Sequence, residues 1–340
     1  MSRPTARRTT ARRLPVVALG LAISSALVLS ACASGEGEAT STRDSLALDY
    51  AYWNPLSLVV RDQGCVEKAV ADQGKAVEWV LSTGSNKSNE NLNAEVIDIG
   101  SSAGAAALVA KANGAAINTI ATFSQPDWAA IVVPADSPIT DVKGLAGAKI
   151  AATKGTDPYF FLLRALNEAG LSQSDVEIIN LQHADGQAAL ARGDVQAWAG
   201  LDPIMAQAEA NDGVKLIYRN IDFASYGVLN ARTAFLEENP ELVEKVLTCY
   251  EAAREWIAQN PDEAVALLAK EASLDPEVAR VVLTERTVTD VPLTPSEAQR
   301  QVLEAILPIL VAEGQVRSEE EVRAALDSLY APEIATKVSG

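Results

Sequence analysis

His183 is the one histidine of the 340-residue chain, and Cys32, Cys65 and Cys249 are its three cysteines. These residue types most often relay protons near neutral pH, attack carbonyls or hold transition metals. None of them falls in a Cys/His cluster with metal-ligand spacing. A Ser-His-Asp arrangement would have to use His183 as its base. So few nucleophiles and bases argue against an enzyme, and no cofactor or metal is expected. The polar residues with a clearer use are Ser and Thr where strand patterns give way to helix patterns. Thr153-Lys154-Gly155-Thr156 is such a junction. The first N–H groups of a helix lack carbonyl partners and sit at the positive end of its dipole, so they can hold an anion. Thr156 adds a hydroxyl there, and Ser101 and Ser102 read as the matching corner earlier in the chain. Capping alone is the other use of such residues, and the two uses are compatible.

The elements that must position these junctions alternate along the chain. Leu46, Leu48, Tyr50 and Tyr52 interleave with Ala47, Asp49 and Ala51, as in a strand. Asn54-Pro55 then turns into an apolar helix over 56–60, which Gly64 ends or bends. Further strands are expected at 77–81, 96–99, 117–122, 130–133, 149–153, 176–181, 195–199 and 216–218. Ser101-Ser102-Ala103-Gly104 reads as the cap of an alanine-rich helix, and two more helices are expected at 158–169 and 188–192. Short strands alternating with helices imply an α/β architecture. From residue 240 onward the pattern is helical only, at 242–259, 261–270, 275–285, 295–313 and 318–329. Two α/β units with a helical tail suggest two lobes. Open α/β sheets bind ligands beyond the carboxyl ends of their strands, so two facing lobes would ring a cleft with helix starts. Such a cleft suits a small anion.

The N-terminus bears on where this happens. Arg3, Arg7, Arg8, Arg12 and Arg13, with no acidic residue among them, precede an apolar run over 14–29. That is the layout of an export signal, and it falls short of the ~20 apolar residues of a spanning helix. Leu29-Ser30-Ala31-Cys32 resembles the bacterial lipobox, after which Cys32 would be lipidated and become the new N-terminus. An ordinary secretory peptide ending near a cysteine is the alternative, and Arg12-Arg13 leaves the twin-arginine export route open. On this reading 1–31 is a lipoprotein signal peptide and 32–44 a flexible tether holding the protein at the outer face of the cell membrane. Loss of the five arginines takes the net charge from −17 to −22. So acidic a surface repels nucleic acid and anionic lipid, leaving the lipid anchor as the only membrane contact. An anionic ligand must then be captured by local dipoles and hydrogen bonds.

One block is specific enough to compare. It runs Val142-Lys143-Gly144-Leu145-Ala146-Gly147-Ala148-Lys149-Ile150-Ala151, then Lys154-Gly155-Thr156-Asp157-Pro158-Tyr159-Phe160-Phe161-Leu162-Leu163-Arg164-Ala165-Leu166. It resembles the second-lobe core of aliphatic sulfonate and taurine binding proteins of ABC importers, within a wider group that includes nitrate and thiamine-precursor binders. Ile97-Asp98-Ile99-Gly100-Ser101-Ser102, Asp194-Val195-Gln196-Ala197-Trp198-Ala199 and Asp202-Pro203 add to the match. The resemblance spans residue 45 to about residue 260 and fades in the last helices. It implies a type II periplasmic-binding fold: two α/β lobes, a ligand cleft between them and a C-terminal helical tail. Crossings near Trp128 and Phe223 would make 45–128 plus 224–340 lobe 1 and 129–223 lobe 2. It further implies an extracytoplasmic monomer that captures an aliphatic sulfonate and presents it to an ABC permease and its ATPase. Taurine, nitrate or a thiamine or pyrimidine precursor would suit the same fold. An enzyme on this fold, or a sensor lipoprotein without a permease, would be a different class.

Within that fold the ligand contacts expected are Ser101, Ser102 and Thr156 for the head group. Tyr52, Trp53 and Asn54 end the first strand, with Tyr52 or Trp53 against an alkyl chain. Ser124 and Gln125 stand at the first crossing as donors to a sulfonate oxygen. Trp198 and Asp202 would line the cleft wall, with core packing the alternative for Trp198. Asp157 departs from the serine or alanine of the family pattern. It is expected to cap its helix ahead of Pro158 and not to pair with an ammonium, which ranks alkanesulfonates above taurine. His183 is expected behind the ligand or at the surface. Cys65 and Cys249 both fall in segments that the resemblance assigns to lobe 1, in an oxidising compartment, and are expected to be bridged. Their spacing alone leaves two free buried thiols open.

Overall fold

The computed structural model describes residues 45–339. The expected signal over 1–31, the expected tether over 32–44 and Cys32 lie outside the described residues. Among the described residues no helix is long and apolar enough to cross a membrane. The chain opens with β1 (Ser45–Tyr50), α1 (Pro55–Asp62), α2 (Cys65–Val70) and β2 (Ala76–Leu81). Next come α3 (Ser85–Asn93), β3 (Ile99–Ala103), α4 (Gly104–Ala112) and β4 (Ile117–Pro126). It continues through β5 (Ala129–Pro134), β6 (Lys149–Ala152), α5 (Asp157–Glu168) and β7 (Glu177–Asn180). Then follow α6 (His183–Arg192), β8 (Ala197–Leu201), α7 (Ile204–Asn211) and β9 (Val214–Tyr218). After β10 (Gly227–Arg232) come α8 (Thr233–Glu238), α9 (Pro240–Gln259), α10 (Pro261–Ala272) and α11 (Pro276–Arg280). The two-residue β11 (Thr287–Val288), α12 (Glu297–Ala312), α13 (Glu319–Asp327) and α14 (Glu333–Ser339) complete it.

The strands make two sheets of matching design. One has the order β2-β1-β3-β10-β4-β11, the other β7-β6-β8-β5-β9. In each, three parallel strands are followed by one reversed strand, β10 or β5. Each reversed strand is the first that the chain forms on arriving from the other sheet. This is the two-lobed type II periplasmic-binding fold, with the cleft between the lobes and the helical tail attached to the first. Parallel strands covered on both faces need apolar residues on both faces. Accordingly Leu46, Ala47, Leu48 and Asp49 are all buried, so the large–small alternation in β1 marks no wet side. Five helices (α1, α5, α9, α10 and α11) carry proline in the first turn, where a missing N–H removes no helical bond.

Two expectations are corrected here. The third strand begins at Ile99 and not at residue 96, and it runs on to Ala103. Ser101 and Ser102 therefore lie inside β3, and the helix they were expected to cap starts at Gly104. The tail holds both lobes. In α12 Gln299 Nε2 donates to Thr122 Oγ1 of β4, and just past its end Gln315 Nε2 donates to Tyr159 Oη of α5. Cys249 of α9 is joined by a disulfide to Cys65, the first residue of α2.

Candidate functional site

Three helix starts meet where the lobes face each other. A Cβ placed on Gly84, just ahead of α3, would lie 2.8 Å from Asn86 Oδ1 and 3.4 Å from both His183 Nε2 and Thr156 Cγ2. One placed on Gly155 would lie 3.4 Å from Asn86 Cβ. The start of α3 in lobe 1 thus touches the starts of α5 and α6 in lobe 2. None of the three helices has a side-chain cap. Their first N–H groups have no helical carbonyl to meet, and the positive ends of the three helices lie close together. The arrangement can hold a small anion without a lysine or arginine.

His183 is only 2 % exposed, and neither ring nitrogen has a hydrogen-bond partner. Burial pushes its pKa down to about 3, so the imidazole stays neutral. That removes the surface alternative for this residue. Asn86 Oδ1 is also buried and unpartnered. A buried polar atom left without a partner costs about 1–3 kcal/mol. Thr156 is at the site, but its Oγ1 donates to the Thr153 carbonyl at 2.6 Å. Its hydroxyl closes the loop.

The matching corner of lobe 1 is otherwise occupied. Gly104 N–H donates to the carbonyls of Ser225 and Tyr226, and Ala105 N–H to Ser225 Oγ. The second crossing therefore fills the start of α4. Ser101 donates through both N–H and Oγ to Asp49 Oδ1, and accepts from Asn54 Nδ2 at 2.7 Å. Asn54 Oδ1 accepts from Ser57 N–H, capping α1. Ser88 Oγ also donates to Asp49, whose pKa burial pushes up to about 6 against these bonds. Ser102 Oγ donates to the Ala103 carbonyl and accepts from Asn230 Nδ2. The polar side-chain atoms of Ser101, Ser102 and Asn54 are thus bonded inside lobe 1. Gly100-Ser101-Ser102-Ala103-Gly104 does spell the Gly-x-Ser-x-Gly pattern of a hydrolase elbow. Here Ser102 is buried in a strand, bonded to Asn230, while His183 belongs to the other lobe.

Asp157 neither caps its helix nor pairs with a cation. Its carboxylate accepts from Trp128 Nε1 at 2.7 Å and from Ser225 Oγ, and burial pushes its pKa up. One lobe-2 residue thereby grips both crossings. Trp128 meets Trp53 edge-on with centroids 5.6 Å apart, and Trp53 in turn packs on Phe123. Tyr52 points the other way, edge-on to Tyr50. Of that pair, Trp53 is the residue on the hinge side.

Ser124 and Gln125 lie within β4, and the crossing is only Asp127-Trp128. Ser124 Oγ is buried and unpartnered, 2.8 Å from a Cβ placed on Gly227, whereas Gln125 pairs with Val288 of β11. Trp198 is wholly buried in β8, with Cδ1 2.9 Å from a Cβ placed on Gly186 of α6. It packs the second lobe's core and not the cleft wall. Asp202 Oδ1 accepts from Ala206 N–H at 2.9 Å and from Arg286 Nη1 at 3.3 Å. Its pKa is pushed up to about 6 by burial, with the Arg286 charge opposing. Asp202 is thus a cap and an ion-pair partner. The residues missed from sequence are Gly84, Ser85 and Asn86. Their signal is a glycine between strand and helix, as also stands in the Thr153-Lys154-Gly155-Thr156 junction.

The family described as NMT1/THI5 like matches residues 71–264. A Bacillus subtilis (strain 168) protein, named for binding aliphatic sulfonates, is 33% identical over 230 residues, 66% of this chain and 69% of that one. A protein of the same name from Escherichia coli (strain K12) is 29% identical over 255 residues, covering 74% of this chain and 79% of its own. In fold, the chain is similar to the alkanesulfonate-binding protein SsuA from Xanthomonas axonopodis pv. citri bound to MOPS. The TM-score is 0.75 at 23% identity, over 83% of this chain and 98% of that one.

Proposed function

The chain belongs to the NMT1/THI5-like family, and from that premise we propose that it is an extracytoplasmic binding protein that captures an aliphatic sulfonate between its lobes and delivers it to an ABC permease. The observation that carries this reading is that three uncapped helix starts, α3, α5 and α6, from opposite lobes lie close together. A sulfonate offers three acceptor oxygens and one delocalised charge, which suits N–H groups arriving from several directions. The relatives named for aliphatic sulfonates support the same choice. Asp157 has both carboxylate oxygens engaged, so it is not available to an ammonium, and taurine ranks below simple sulfonates. Residues 45–128 with 224–340 are lobe 1 in this reading, and 129–223 are lobe 2.

A ligand that binds only the folded state stabilises it by about 2.7 kcal/mol at one hundred times its Kd. Alkanesulfonates are therefore expected to raise the melting temperature, with little effect from nitrate or sulfate at equal concentration. A shift with nitrate alone, or none with any sulfonate, would discard the sulfonate assignment.

Cys32 is the proposed lipid attachment point. The Cys32→Ala protein is expected in the soluble fraction of the producing cells. Retention of that variant with the membranes would refute attachment at this residue.

A further inference from the structure

We propose that His183 and Asn86 form a subsite for a hydroxyl group on the ligand's alkyl chain, so that the protein selects short hydroxyalkanesulfonates over unsubstituted ones. This rests on the sulfonate reading above and adds to it the identity of the substituent. The two side chains come from opposite lobes and meet at Gly84, where an added side chain would collide with Asn86 Oδ1. A Cβ there would lie 2.8 Å from Asn86 Oδ1 and 3.4 Å from His183 Nε2. Both atoms are buried without a protein partner, so they do not bond each other. His183 Nδ1 is unpartnered as well.

What bridges them must satisfy an amide oxygen, which only accepts, and a neutral imidazole nitrogen. A hydroxyl donates once and accepts twice, and meets both demands. A sulfonate oxygen only accepts and cannot serve Asn86 Oδ1. A methylene serves neither, and would leave both atoms buried and unpaired when the lobes close. An ammonium needs a carboxylate once it is desolvated, and Asp157 is bonded to Trp128 and Ser225 instead. Sites built to bond a ligand hydroxyl discriminate strongly against the analogue lacking it. Since burial keeps the imidazole uncharged, His183 adds directed bonds and no extra attraction for anions in general.

The test compares ethanesulfonate with 2-hydroxyethanesulfonate by calorimetry on the wild type, His183→Phe and His183→Gln. The wild type is expected to bind the hydroxylated ligand at least about tenfold more tightly. In His183→Phe the two ligands should come within about twofold of each other. His183→Gln, which keeps a donor and an acceptor, should retain part of the preference. Equal affinities in the wild type, or a preference that survives in His183→Phe, would overturn the subsite while leaving the sulfonate reading in place. Failure of both sulfonates to bind the wild type would overturn the two together.

Discussion

Replacing Cys65 and Cys249 with alanine is expected to destabilise the protein by up to ~5 kcal/mol. The two residues are 184 apart in sequence and joined in the folded chain. Cross-linking so distant a pair removes loop-closure entropy from the unfolded chain, and the effect grows with loop length. The closed loop contains every strand of the second sheet, β5 to β9. The bond itself joins α2 to α9 on the first lobe, so it does not tie the two lobes to each other. Sulfonate affinity should accordingly stay within about twofold while the urea midpoint falls. Two reactive thiols in unreduced, denatured protein lacking Cys32, or an unchanged urea midpoint in the double variant, would refute the prediction.

Arg286→Leu should cost about 3–5 kcal/mol near pH 8, because it leaves a buried carboxylate without its counter-charge. Arg286 follows α11, and its guanidinium reaches lobe 2, pairing with Asp202 at 3.3 Å and with Glu209 of α7. The loss should shrink toward acid. Asp202 already sits at about 6 against an ordinary 3.8, with the Arg286 charge opposing a further rise. Without that charge the folded pKa climbs, so the folded variant keeps a proton that the unfolded chain releases near pH 4. Stability from that proton is fully present below about pH 4 and is lost as pH rises through the folded pKa. Urea unfolding at pH 5 and pH 8 should show the variant closer to wild type at pH 5. The double variant Arg286→Leu with Asp202→Asn should recover most of the loss at pH 8. An Arg286→Leu midpoint equal to wild type at pH 8 would mean that the ion pair adds nothing.

Much of the architecture was legible because parallel strands covered on both faces leave apolar runs, and prolines and glycines mark the helix ends. The first half of the candidate site was not. The sequence of α3, Ser85-Asn86-Lys87-Ser88-Asn89-Glu90-Asn91-Leu92-Asn93, holds one large apolar residue and so has no helical stripe to read. That helix is held by polar contacts, Ser88 Oγ to Asp49 and Asn89 Nδ2 to the Ala106 carbonyl, which no periodicity announces. Ser-Ser-Ala-Gly reads as a cap, yet Asp49, Asn54 and Asn230 satisfy both serines in extended conformation, and the strand runs on. Thr156 was legible as a junction residue, but the use of its hydroxyl on Thr153 was not. The approach of His183 to Gly84 joins residues 99 positions apart on different lobes, and only the packed fold brings them together.

Every strand of the second sheet comes from one uninterrupted stretch of chain, whereas the first sheet is assembled from both ends. Gly155, Thr156 and His183, the lobe-2 residues of the candidate site, are therefore encoded together between two short straps. Asp157, which grips both straps, travels with them. A recombination event with endpoints in the straps would replace that set intact without cutting the sheet that carries Gly84 and Asn86. Ligand preference in such a lineage can change in one genetic step, by exchange of a cassette whose two joints are already shared.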